Sequence, residues 1–136
     1  MAKAQRITAF TMSLEDKPGA LLSIMKRFKE QKVNLAGVWG YTMGPGQAEV
    51  LIVGKDPEKV RAALRSSGAS FTERTGFFSK GADKVGALLD SLQVISDAGI
   101  NLDAANAIAV GGKYGSYFWV KEEDAARAER ALGGKK

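Results

Sequence analysis

The chain carries one stretch twice. Asp16-Lys17-Pro18-Gly19-Ala20-Leu21-Leu22 leads through an apolar helical pattern to Val33-Asn34-Leu35. Sixty-seven residues further on, Asp83-Lys84-Val85-Gly86-Ala87-Leu88-Leu89 leads to Ile100-Asn101-Leu102 at the same spacing and without a gap. A repeat at a fixed period constrains the fold before any local propensity does, and two copies point to paired domains rather than a solenoid. In 136 residues each copy has about half the chain. So short a segment buries a small fraction of its surface and is marginal alone. The two copies are therefore expected to share a core, an interface or a strand, with units over residues 1–72 and 73–136.

In the first copy, Arg6 to Leu14 reads as a strand, since Ile7, Thr8, Phe10 and Thr11 favour extended backbone. Its apolar alternation slips once after Ala9, which points to a bulge or to a central strand covered on both faces. Asp16-Lys17-Pro18-Gly19 then turns the chain into a helix, with Asp16 expected as the cap and Pro18 in the first turn. Leu21, Leu22, Ile24, Met25 and Phe28 form one apolar stripe at helical period, and Lys26, Arg27, Lys29, Glu30 and Lys32 fill a solvated face. Val33 to Met43 alternates with period two, Gly44-Pro45-Gly46 turns, and the nearly continuous apolar run Ala48 to Val53 reads as a strand in the middle of a sheet. Asp56-Pro57 opens a second helix carrying Val60, Ala63 and Leu64, which Gly68 stops. Ser70 to Ser79 is extended again. Strand, helix, strand, strand, helix, strand is the ferredoxin-like order, an α+β fold with an antiparallel sheet and helices on one face.

The second copy follows the same plan. Asp83 is expected to open a helix carrying Leu88, Leu89, Leu92 and Ile95. Leu102, Ala104, Ile108 and Val110 alternate as a strand, Gly111-Gly112-Lys113 turns, and Tyr117 to Val120 returns as the central strand. Asp124 to Leu132 is an Ala-rich helix. Between Gly68 and Asp83 there is no room for two full strands and a hairpin, at about 3.3 Å per residue. Residues 70–79 are therefore expected to serve as last strand of one unit and first strand of the next. No closing strand is evident in the second copy. Its sheet edge would lie open, and an open edge invites a partner, so a homodimer is expected.

Composition narrows the chemistry. There is no Cys and no His, which removes thiolate nucleophiles, imidazole bases and the usual zinc ligands. No carboxylate pair clusters in the sequence, so the chain is expected to be no enzyme and to need neither metal nor cofactor. The net charge of +5 permits an anionic partner without demanding one. No RNP-type run precedes the aromatic Tyr117-Phe118-Trp119, so nucleic acid is not the expected partner. No apolar run approaches the roughly 20 residues of a membrane span. Met1–Arg6 is not followed by a signal-peptide core, and the cytoplasm is the expected location.

Asp-x-Pro-Gly, then Leu-Leu, a helix, and Val-Asn-Leu opening the next strand resembles the ACT domain, and nearly the whole chain resembles two such domains in tandem. The resemblance implies a regulatory module. ACT domains occur in enzymes of amino-acid metabolism, such as phosphoglycerate dehydrogenase and aspartokinase. There they typically bind an amino acid at the interface of a pair and bias the enzyme's conformation. It further implies ligand contacts from Asp16, Pro18, Gly19, Ala20, Leu21 and Asn34 in copy one, and from Asp83, Gly86, Ala87, Leu88 and Asn101 in copy two. Val85 departs from the family's Pro and leaves the second loop less rigid.

Elementary chemistry is compatible with those positions. A helix start offers unpaired N–H groups and partial positive charge to a carboxylate, and Asn can meet either end of a zwitterion. Asp16 and Asp83 also suit plain capping, and the Asn residues suit turns that lead into strands. Trp39, Tyr41, Tyr117 and Trp119 read as core or interface rather than as a ligand cage. The expected function is regulation through an amino acid or similar metabolite, acting on a separate enzyme by changing domain or subunit arrangement. The alternative is a protein–protein or RNA-binding ferredoxin-like module without a small ligand.

Overall fold

Residues 4–133 are described by the computed structural model. Residues 1–3, part of the Met1–Arg6 stretch considered above, lie outside them. Among the described residues there are six strands and four α-helices, and the ladders within each unit are antiparallel. The chain divides into two compact units, one over Thr8–Glu73, the other made of the residues before Thr8 and from Arg74 onward. No helix among the described residues is long and apolar enough to cross a membrane.

The first unit contains most of β1 (Gln5–Glu15), then α1 (Ala20–Glu30), β2 (Leu35–Gly44), β3 (Gln47–Gly54), α2 (Pro57–Ser66) and the first two residues of β4 (Thr72–Ala82). β3 lies between β2 and β1, as its continuous apolar run requires. Phe10 faces Ile52 and Met12 faces Val50 across the β1–β3 ladder. These four pack under Phe28 of α1 and Val60, Ala63 and Leu64 of α2, and a fully buried side chain of this size contributes about 1.5–3 kcal/mol. Ala9 to Met12 are buried without alternation, and the ladder runs unbroken from Phe10 to Glu15. The continuous burial fits the reading of a strand covered on both faces.

Two details of the helices differ from expectation. Leu21 and Leu22 are 41% and 58% exposed. The first turn of α1 overhangs the core, which begins with the partly buried Ile24 and Met25. At its other end α1 closes in a Schellman motif. Val33 N–H donates to Phe28 O at 2.9 Å and Lys32 N–H to Lys29 O at 3.0 Å, while Val33 packs in the same core as Phe28. Lys32 takes the left-handed conformation, φ 60°. In α2 the expected cap is present, with Asp56 Oδ1 accepting from Glu58 N–H at 3.0 Å and Pro57 at the first helical position.

The second unit contains most of β4, α3 (Leu89–Asp97), β5 (Ala104–Val110), β6 (Lys113–Trp119) and α4 (Ala125–Leu132). Its ladders give the order β4, β6, β5. Phe77 and Phe118 face each other across β4 and β6 and pack under Ile95, Ile100, Ala128 and Leu132. Gln5–Ile7 belong to this unit rather than the first. Ala4 packs against its core, and Arg6 Nη1 donates to Glu129 Oε1 of α4 at 2.7 Å. α3 ends as α1 does, with Ile100 N–H on Ile95 O at 3.2 Å and Gly99 at φ 71° in the place of Lys32.

Candidate ligand-binding crevice

The turn between β1 and α1 is built by Pro and Gly working as a pair. Ala20 N–H donates to Lys17 O at 3.3 Å, and Gly19 sits at φ 86°, ψ −10°. That is the third position of a type II turn, with Pro18 at the second. A Cβ on Gly19 would meet no atom within 4 Å, so the glycine is required by backbone conformation and not by close approach. Gly19 is also the N-cap of α1, and no side chain caps the helix. This corrects the expectation for Asp16, which stands three residues too early to reach the cap position. Pro18 likewise lies in the turn and not in the helix. Asp16 N–H instead donates to Gly46 O at 3.2 Å, tying the turn to the β2–β3 hairpin.

A crevice of about 250 Å³ opens beside this turn. Asp16, Lys17, Ala20 and Leu21 form its rim; Gly40 and Thr42 of β2, Leu14 of β1, and Ala48 and Val50 of β3 form its floor. Leu14, Ala48 and Thr42 occupy one line across the three strands, and Val50 and Gly40 the neighbouring line. Glu15, Tyr41 and Glu49 complete the lining, with Glu15 Oε2 3.4 Å from Lys17 Nζ and the Tyr41 hydroxyl donating to Glu49 Oε1 at 2.7 Å. Gly40 keeps the floor open. A Cβ there would make only ordinary contacts, 3.5 Å from Glu49 O and 3.9 Å from Val50 Cγ2. Without a cap, the first N–H groups of α1 lack side-chain acceptors, and the partial positive charge of the helix start is exposed beside the Asp16 carboxylate.

Of the first-copy residues named from sequence, Asp16, Ala20 and Leu21 line the crevice, and Pro18 and Gly19 shape the turn above it. Asn34 does not join them. It stands at the far end of α1, one helix length or roughly 16 Å away at 1.5 Å per residue, and its carbonyl accepts from Lys55 N–H at 3.0 Å. Tyr41, Gly40 and Ala48 were not singled out as site residues. Their signal was the hairpin itself, whose strands return under the turn.

In the second copy the turn is the same. Ala87 N–H donates to Lys84 O at 3.1 Å, Gly86 has φ 76°, and Asp83 N–H reaches Gly112 O at 3.0 Å. Val85 does not prevent it, although its side chain is fully exposed. The helix starts later than Asp83 suggested, at Leu89 with Leu88 as N-cap. Leu89 is 61% exposed while Leu88 packs against the core, so only Leu88, Leu92 and Ile95 of the expected stripe face inward, fully or in part. Asn101 again lies at the opposite end of the helix, beside Ser96 and Gly99.

No family model and no curated protein matches the chain. Solved structures do. A protein from Bacteroides thetaiotaomicron aligns with a TM-score of 0.78 at 16% identity, over 92% of this chain and 87% of its own. The ligand-free regulatory subunit of aspartate kinase from Thermus thermophilus aligns with a TM-score of 0.66 at 16% identity, over 96% and 93%. A putative C-terminal regulatory domain of aspartate kinase from Porphyromonas gingivalis gives 0.57 at 12%, over 97% and 94%. The fold is ferredoxin-like, an α+β architecture shared with these neighbours. At such identities the likeness concerns backbone architecture, and the crevice has to be read from its own residues.

Proposed function

We propose that the chain is a regulatory module that binds a small zwitterion, an amino acid or a close relative, in the crevice beside Asp16 and Ala20. One observation carries this reading: the crevice opens at a helix start that no side chain caps. A ligand carboxylate there can accept from the N–H groups of the first turn that follow Ala20, and the Asp16 carboxylate can meet an ammonium. The volume, about 250 Å³, is below the usual range for drug-sized ligands of about 300–1,000 Å³. The apolar floor of Leu14, Ala48 and Val50 suits a short aliphatic side chain.

In this reading regulation passes to a protein or domain that the module contacts. Leu22 and Met43 are 58% and 57% exposed, and Leu21 and Tyr41 at the crevice are both 41% exposed. Apolar side chains left open around a ligand site fit a second subunit or a partner enzyme closing over it. Ligand and partner are then linked through their different affinities for the open and closed arrangements. Calorimetric titration with each of the twenty amino acids tests the reading; a folded chain that gives no binding heat with any of them rejects it.

A further inference from the structure

The two crevices are not alike. Across β1 and β3 the crevice of the first unit has Leu14 facing Ala48. At the same place in the second unit Gly81 faces Tyr114 across β4 and β6. The Tyr114 ring lies against the bare Gly81, where an added Cβ would come within 3.0 Å of its Cε1. Its hydroxyl donates to Ala87 O at 3.2 Å. Ala87 corresponds to Ala20, which forms the rim of the open crevice. Tyr114 therefore fills, and fastens shut, the space that stands open in the first unit.

Behind the ring the floor changes character. Ser79 faces Ser116 two register pairs away, the next pair on the same face; both are fully buried, and Ser91 of α3 is buried as well. Their counterparts in the first unit are Met12, Val50 and Ile24. Ser116 Oγ donates to Asn106 O at 2.7 Å, while the Ser79 hydroxyl finds no hydrogen-bond partner among the described residues. A buried hydroxyl without a partner costs about 1–3 kcal/mol, so packing alone gives no reason for serine where the other copy has methionine.

We propose that the second unit keeps a hydroxyl-floored version of the crevice, closed by its own Tyr114, and that removing this ring opens a site for a small phenol. The inference rests on reading the first crevice as a ligand site only in its consequence, that of the two crevices beside the repeated turns the wild-type chain offers one open. The closure is tested separately. Tyr114→Ala is titrated with p-cresol and followed by amide chemical shifts. Saturable shifts at Ser79, Ala87 and Ser91 are expected in the variant, with none at those amides in the wild type at the same concentrations; Gly81 and Gly115 are set aside because they also line a pocket of about 650 Å³ with Phe78 and Ile108 that is open in the wild type. A folded variant without such shifts, or a wild type that shows them, overturns the proposal. In the wild type, nuclear Overhauser contacts between the Tyr114 ring and the Ala87 methyl are expected. Their absence overturns the closure even if the variant does not fold. If p-cresol binds the variant while no amino acid binds the wild type, the closure stands and the proposed function falls. The reverse pattern overturns the closure and keeps the function.

Discussion

Arg61 grips the carboxylate of Glu73 with two nitrogens, Nε to Oε2 at 2.7 Å and Nη2 to Oε1 at 2.8 Å. Its Nη1 also reaches Glu58 Oε1 at 2.6 Å, and the guanidinium lies over the Phe10 ring, 5.7 Å from the centroid. One side chain thus joins α2 to the start of β4 within the first unit. A bidentate pair of this kind fixes geometry as well as charge.

Glu73→Gln is therefore expected to destabilise the first unit in a pH-dependent way. Hydrogen bonding to Arg61 holds the Glu73 carboxyl below its usual carboxylate range, so the folded chain takes up a proton there less readily than the unfolded one. The stabilisation is complete above the ordinary Glu pKa and is lost as pH falls through the lowered value. Both groups touch solvent, so the effect is modest and weakened by salt. Denaturant melts at neutral pH should separate wild type from variant, and melts below the lowered pKa should bring them together. A gap that stays constant across that range would show that the pair does not act through charge.

Lys32 occupies a position that the second copy gives to Gly99, both left-handed at the end of a Schellman motif. A residue with a side chain pays about 1–2 kcal/mol for that conformation, and glycine returns about 0.5–1 kcal/mol of this through its freer unfolded chain. Lys32→Gly should raise stability by roughly 0.5–1 kcal/mol. Chemical denaturation measures it, and a loss of stability would mean that the lysine side chain contributes more than its backbone costs.

Gly54 ends β3 against α2. A Cβ added there would run into Cγ2 of Val60, which is fully buried. Gly54→Ala is expected to cost about 1–3 kcal/mol by overpacking. The companion change Val60→Ala makes room for the new methyl, so the double variant should lose less than the sum of the two single losses. Simple additivity in thermal unfolding would show that the two positions are not in contact.

Much of this architecture was legible in the residues. The repeated Asp-Lys-x-Gly-Ala-Leu-Leu placed both turns, and period-two runs placed the hairpins, because local backbone chemistry dictates those elements. The cap on α2 was legible for the same reason. Asp16 misled because Pro18-Gly19 has two local solutions, a helix start or a type II turn, and only the hydrogen bond from Ala20 to Lys17 decides between them. Gln5–Ile7 could not be assigned to the second unit from local pattern, since that grouping depends on contacts far apart in sequence. The difference between Ala48 and Tyr114 was hidden for another reason. The second hairpin is one residue shorter, so the fixed spacing that reveals the repeat fails just before the floor of the crevice.

The most direct test of the crevice compares wild type with Gly40→Leu. A Cβ is sterically permitted at Gly40, so the larger side chain should fill the floor of the crevice and leave the fold intact. Both proteins are titrated with each of the twenty amino acids by calorimetry, with circular dichroism confirming that they are folded. Saturable heat from at least one amino acid in the wild type, lost in Gly40→Leu, is the expected result. No heat from any of them in the wild type, or equal heat in both proteins, would contradict a ligand site beside Asp16 and Ala20.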